Sequence, residues 1–390
     1  MTAPDPTAHD PTAPDPEARA IEVMQREIET IPEVIAGQVS SLRPQVRDLV
    51  ARLRARGTDR EVVLTGCGDS RFAGLAARLA FERYAGLRCR AVEALELARY
   101  EVRYVQGDPP PILFAISYSG EVGRTIEAAA TGRRFGWDVV ALTGRPQGRL
   151  AAEADERLIL SVPSLGFSPG TSTYIAMLAA LYLLAGELAS AAGRDREAAA
   201  VGAALDAAPE LASRTLAASA EVADEVAGLW AAAPVTTFLG AGPSYGTASF
   251  GAAKLFEGPQ RWGIVEDLEE WAHLQYFVSG PRTPVVVVAP VGASRDRAGE
   301  LLAEMAFIGA PATLVGDAID DAVARSAARV LPVAPGLDEP FSPLLTALPL
   351  ALAAWRLAER LGTRSYGFPD AEHEREHYET IHRDTRGEPA

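Results

Sequence analysis

Two residue types are nearly missing from this chain. Cysteine occurs only at Cys67 and Cys89, and the single lysine is Lys254. Two cysteines without paired Cys or Cys/His spacing exclude a disulfide framework and a zinc knuckle, and they fit a reducing, cytoplasmic setting. Positive charge is also short: 37 Lys+Arg stand against 52 Asp+Glu, a formal net charge of -15. That excludes the basic face with which a nucleic-acid binder meets phosphates. It leaves a small anionic ligand open, because backbone amides and hydroxyls hold a phosphate locally. No apolar leader opens the chain: residues 1–18 are rich in Pro, Asp, Ala and Thr, with TAPDP at 2–6 and again at 12–16, and a disordered tail is expected there. The run 175–192 is apolar but short and contains Gly186 and Glu187, so a buried helix is expected rather than a membrane span.

What is present is an ordinary globular balance over 390 residues, 48% hydrophobic and 23% charged, with room for two domains. Residues 19–56 carry a helical pattern broken near Ile31-Pro32. Buried-strand signals then alternate with helices. Strands are expected at 61–66, 111–117, 138–144 and 156–162, and helices at 70–86, 123–136 and about 171–192. Short apolar strands alternating with helices mark an α/β fold, a doubly wound parallel sheet with helices on both faces. The order then repeats. Gly66-x-Gly68-x-Ser70 recurs as Gly240-x-Gly242-x-Ser244, PILFAIS as PVVVVAP (284–290), and ERLILSVP as ARVLPVAP (328–335), with a long apolar helix at 343–361. The spacing predicts two duplicated units, 57–195 and 229–365, joined by helices around 196–228 and followed by a tail, 366–390.

The copies differ in one loop. The first continues its second strand into Ser117-Tyr118-Ser119-Gly120-Glu121, whereas the second has Pro290-Val291-Gly292-Ala293-Ser294. A loop at the carboxyl end of a parallel strand, leading into a helix, is the usual ligand crevice of this architecture. Serine hydroxyls, glycines and free helix-terminal amides suit an anion such as phosphate there. Helix capping by Ser117 and Ser119 is an equal reading of the same residues. No GK[ST] occurs, so this is not a Walker loop, and the GxGxS pattern falls short of a dinucleotide fingerprint. The tail contains His373-Glu-Arg-Glu-His377, formally HExxH, but charge surrounds it, so a solvated helix rather than a metal site is expected.

Taken together, GCGDS (66–70), ISYSGE (116–121) and SPGTSTY (168–174) resemble the SIS (sugar isomerase) domain. The tandem arrangement is similar to the isomerase half of glucosamine-6-phosphate synthase and to related amino-sugar-phosphate isomerases, deaminases and fructosamine-phosphate deglycases. The likeness spans roughly residues 20–368 and implies two duplicated SIS domains. It implies a sugar-phosphate site at Gly66, Gly68, Ser70, Ser117, Tyr118 and Ser119, with Ser172 and Thr173 near the sugar. The stretch GAAKLFEGPQRWGIVEDLEEWAHL (251–274) resembles the family's catalytic segment. On that match Glu257 moves a proton between C1 and C2, His273 opens the sugar ring, often across a dimer, and Lys254 and Glu270 complete the set. The chemistry agrees: isomerisation needs a carboxylate with a pKa near the working pH, and ring opening needs a group that gives and takes a proton near neutrality.

Two departures bear on the reaction. Val122 follows Ser-Gly-Glu where the synthase has a phosphate-binding threonine, and the tail has no lysine where the synthase carries a functional one. Ammonia from glutamine hydrolysis is not expected within this chain, and without the tail lysine aminotransfer of the synthase type is not expected. The expected function is a homodimeric phosphosugar or amino-sugar-phosphate aldose–ketose isomerase with a shared active site, with or without loss of an amine, using no cofactor and no metal. Two alternatives stand beside it: a non-catalytic sugar-phosphate sensor, and an enzyme of this family recruited to an unphosphorylated or unusual sugar.

Overall fold

The computed structural model describes residues 16–383, apart from 58, 105–108 and 320. Helix α1 (Pro16–Glu29) begins inside the segment expected to be tail, and the rest of that expectation lies outside the described residues. After a one-residue break comes α2 (Ile31–Arg54), where Pro32 sits in the first turn and so costs the helix no hydrogen bond. The first unit follows: β1 (Val62–Gly66), α3 (Asp69–Ala80) with a wide turn over 81–85, β2 (Cys89–Glu93), the short α4 (Ala94–Glu96) and α5 (Val102–Tyr104), β3 (Ile112–Ile116), α6 (Gly123–Arg134), β4 (Asp138–Thr143), α7 (Arg149–Glu153), β5 (Glu156–Ile159) and α8 (Ser172–Ala191). A single helix, α9 (Asp195–Ala231), stands where several linking helices were expected. The second unit is β6 (Val235–Gly240), α10 (Pro243–Glu257), β7 (Trp262–Asp267), α11 (Leu268–His273), β8 (Val285–Val288), α12 (Arg295–Phe307), β9 (Ala312–Gly316), α13 (Asp321–Ser326), β10 (Arg329–Pro332) and α14 (Pro343–Leu361), and α15 (Ala371–His382) closes the chain.

Each unit is one five-stranded parallel sheet. The first runs β2-β1-β3-β4-β5 and the second β7-β6-β8-β9-β10, the same order. Leu64 pairs with Ala91 on one side and Phe114 on the other, and Phe238 likewise with Val265 and Val286. Central strands β1, β3 and β8 are buried along their whole length, as apolar runs covered on both faces must be. The long helices α2, α8, α9 and α14 pack on one another and share one hydrophobic core that reaches both sheets. By length and composition α8 could cross a membrane, yet 83% of its apolar window is buried inside the protein.

The two units meet where α3 lies against α10. Gly246 makes this approach possible. A Cβ there would sit 2.6 Å from both the Phe72 carbonyl oxygen and the Ala76 nitrogen, atoms of the α3 backbone that cannot rotate aside. Ala73, Ala76 and Ala77 keep the facing stripe of α3 small and fully buried. This crossing brings the start of α3 against the end of α10. Gly246→Val is therefore expected to destabilise the protein by about 1–3 kcal/mol through overpacking. Thermal or denaturant unfolding measures this, and an unchanged midpoint would show that the crossing is not tight.

Candidate active site

Both β-to-α turns that open the units use the same backbone device. Gly68 and Gly242 precede α3 and α10 with φ of +55° each, a left-handed geometry open to glycine. Gly66 must also lack a side chain, since a Cβ would lie 2.6 Å from the Ser70 Cβ and 2.8 Å from the Ile116 carbonyl oxygen. The close fit sets the loops after β1 and β3 side by side, and Thr125 and Cys67 touch across them at 3.8 Å. In the second loop Ser117 and Ser119 hydroxyls lie 3.4 Å apart. Ser117 Oγ accepts the Gly120 amide at 3.2 Å and Ser119 Oγ the Glu121 amide at 3.4 Å. Ser70 is buried beside Met177. Tyr118 turns away, with its hydroxyl 3.3 Å from the Val162 carbonyl oxygen, and its ring covers Gly144.

The equivalent loop of the second unit is filled by the protein itself. Glu339 accepts the Ala293 amide at 3.1 Å, and Arg295 donates to the Ala289 and Asp317 carbonyls. An acceptor and a cation of the protein thus satisfy this loop, which has no double serine.

Helix α10 ends in a buried charge cluster. Lys254 is wholly buried, and its ammonium donates to Glu257 Oε2 at 2.5 Å, the Gly170 carbonyl at 2.8 Å and Asp69 Oδ2 at 2.9 Å. Asp69 and Glu257 side chains are 17% and 26% exposed. Burial pushes the Glu257 carboxyl up to about 7, with Asp69 adding to the rise while Lys254 opposes it. Asp69 is likewise raised, by burial. Burial works against the Lys254 charge, but Asp69 and Glu257 outweigh it and hold its pKa above the usual lysine range. Tyr366, in the segment after α14, donates its amide to the Glu257 carbonyl at 2.9 Å, and its hydroxyl lies 3.4 Å from Glu257 Oε2 and 3.3 Å from the Ser168 carbonyl oxygen. Its φ of +51° is strained for a residue with a side chain. Glu27 of α1 fastens the adjoining SPGTST loop by accepting the Thr171 amide and hydroxyl. Next to it the Ser172 hydroxyl is buried with no hydrogen-bond partner among the described residues. Thr173 follows in the first turn of α8.

Residues 58–186 match the SIS domain family. The chain carries a SIS domain. It is 26% identical over 346 residues to the glutamine–fructose-6-phosphate aminotransferase (isomerizing) of Rhizobium meliloti, covering 87% of this chain and 56% of that protein. The chain thus spans about half the length of the curated relatives it matches. Among solved structures, the C-terminal domain of glucosamine-fructose-6-phosphate aminotransferase from Francisella tularensis superposes with a TM-score of 0.78 at 22% identity, covering 88% of this chain and 97% of that one. Tagatose-6-phosphate ketose/aldose isomerase from Escherichia coli gives 0.73 at 18% identity, covering 88% and 94%. These two likenesses establish the fold. The two sheets share one strand order, as duplicated units would.

The SIS fold separates the expected catalytic residues into two groups. Lys254 and Glu257 share one cluster. His273 and Glu270 stand apart on α11, where His273 is 67% exposed and 3.4 Å from Glu269. No hydrogen bond or ion pair among the described residues joins His273 to Glu257. Asp69 and Tyr366 enter the cluster without having been singled out in the sequence: Asp69 lay in view inside GCGDS, but nothing local pairs it with a lysine far along the chain.

The terminal helix α15 is not simply solvated. Glu374, Tyr378 and His382, spaced one turn apart, are half-buried against the body. Its last carbonyls reach the starts of α6 and α7: Arg124 of α6 donates to the Arg383 carbonyl at 3.0 Å and Arg149 of α7 to the His382 carbonyl at 2.8 Å. Arg149 also donates to the Glu121 carboxylate at 2.6 Å. His373 pairs with its N-cap, Asp370, and His377 packs on Phe368.

Removing the ammonium should unbalance the cluster. Lys254→Met is expected to cost about 3–5 kcal/mol, the price of unpairing a buried ion pair. With the cation gone both carboxyls titrate still further above their unfolded values. Stability gained by their protonation is then present at low pH and lost as pH rises, so the deficit should deepen between about pH 5 and pH 8. Thermal melts across that range check it; a deficit independent of pH would mean the carboxylates are not facing the ammonium.

Proposed function

We propose that this chain is a cytoplasmic phosphosugar or amino-sugar-phosphate aldose–ketose isomerase in which Glu257 carries the proton between C1 and C2. The observation that carries the reading is the Glu257 carboxyl, partly buried where α10 meets α3 and held at about 7 beside Lys254. A base poised near the working pH is half ionised there, able both to take a proton from one carbon and to return it to the next. A sensor has no use for such a group. Lys254, one hydrogen bond away, holds the Glu257 carboxylate in place. Ser70, Ser117 and Ser119, with the loop amides, are assigned to the substrate phosphate, and Ser172 to a sugar hydroxyl. The printed activities of the relatives, an isomerizing aminotransferase and a ketose/aldose isomerase, support the same chemistry.

His273 is assigned to ring opening in a neighbouring copy of the chain. Its exposure supports this, as do the uncovered Phe277 (79%) and Val278 (77%) on the same segment, since large apolar side chains side by side at a surface mark an interface. Phe277→Asp is expected to shift the protein from dimer to monomer in light scattering and to remove most isomerase activity. Full activity in a monomer would place ring opening within one chain.

Glu257→Gln should lower kcat by about a thousandfold with little change in KM, the loss expected of a general base. In the wild type, activity should rise with pH through about 7 as Glu257 loses its proton. The substrate is found by thermal shift with a panel of 6-phosphosugars, since a ligand of the native state raises Tm by mass action. Stabilisation by one phosphosugar, lost in Ser119→Ala, supports the serine-loop assignment. A shift by the unphosphorylated sugar alone would remove it.

A further inference from the structure

Asp69 has no part in the proton transfer just described, yet it is built into the same cluster. It is the first residue of α3, on the first unit, and its carboxylate crosses to the second unit to meet Lys254 at 2.9 Å. Its other oxygen is buried without a hydrogen-bond partner among the described residues. The turn does not require an acid. The duplicated turn places Pro243 between Gly242 and Ser244, with the same glycine φ, and opens α10 equally well. Nor is the carboxylate spent on its own helix: it accepts from a side chain of the other unit.

The consequence is a matter of charge. Paired with Glu257 alone, the Lys254 ammonium would hold that carboxylate in a private ion pair and suppress its basicity. Shared between two carboxylates, the ammonium is pulled toward α3, and the three groups carry one negative charge more than positive. The cluster can then accept one proton. We propose that Asp69 is a positioning residue for Glu257, acting through Lys254, so that the first SIS unit sets the protonation of the base carried by the second. This rests on the reading of Glu257 as the base. The groups that face Glu257 are Lys254 on its own helix, Asp69 on α3, Tyr366 in the segment after α14 and Tyr378 on α15. Tyr366 is pushed above the usual tyrosine range by burial and by Glu257, so it stays a neutral donor and does not compete for the proton.

The test is Asp69→Asn in the full chain, followed by carbon-13 NMR of labelled glutamate carboxyls, with the Glu257 signal assigned by its disappearance in Glu257→Gln. The expected result is that Glu257 titrates at lower pH in Asp69→Asn. The acid limb of the kcat profile should move down with it, and kcat should fall about tenfold as the base weakens, while KM changes little. Asp69→Glu, which keeps the charge, should leave the limb near its wild-type position. An unchanged Glu257 titration in Asp69→Asn overturns the inference, as does an activity loss carried by KM alone. If Asp69→Asn does not fold, Asp69→Ser carries the same expectation. Failure of the base reading shows separately, as turnover retained in Glu257→Gln whatever the titration does.

Discussion

The architecture around the site depends on the burial of one ammonium. Lys254 is fully enclosed, and a charge removed from water is tolerated only when its hydrogen bonds and its charge are both met. Three acceptors meet them, and they come from three places: the end of α10, the start of α3 and the loop before α8. The α3–α10 crossing, the glycine that permits it and the clamp of Glu27 on the SPGTST loop are the conditions under which those acceptors converge. Phe250 completes the enclosure, its ring stacked on Tyr174 and its centroid 5.0 Å from the ammonium. Fold and site are thus one problem, because the lysine can be buried only if the two units are in contact.

Duplication with divergence explains the asymmetry of the units. Both copies keep the sheet order and the left-handed glycine, which are constraints of backbone geometry. The first keeps a loop of hydroxyls; the second satisfies its loop with Glu339 and Arg295 and supplies charged groups from its helix instead. Under the proposed function, one copy holds an anion and the other a base.

Sequence reading reached whatever is encoded locally. The apolar central strands, the long helices, the repeat and the Lys254–Glu257 spacing on one helix face all lie within short windows. Two of the four edge strands escaped it, because β2 and β7 are only partly buried and carry Arg90, Glu93, Glu266 and Asp267 among their apolar residues. Asp69 escaped for a different reason. A carboxylate at the start of a helix is common, and its partner is set by how two units pack, which no window contains. Tyr366 depends likewise on the chain returning from α14, and on a strained φ that tyrosine gives no hint of. The assignments of His273 and Glu270 came from resemblance alone, and their segment lies outside the cluster within this chain.

The scarcity of lysine has a chemical corollary. The only side-chain amine in 390 residues is also one of the most enclosed groups in the protein. Amine-directed acylating reagents cannot reach it while α3 and α10 remain in contact. Acylation of Lys254 therefore requires its enclosure, made by α3, α10 and the loop before α8, to open.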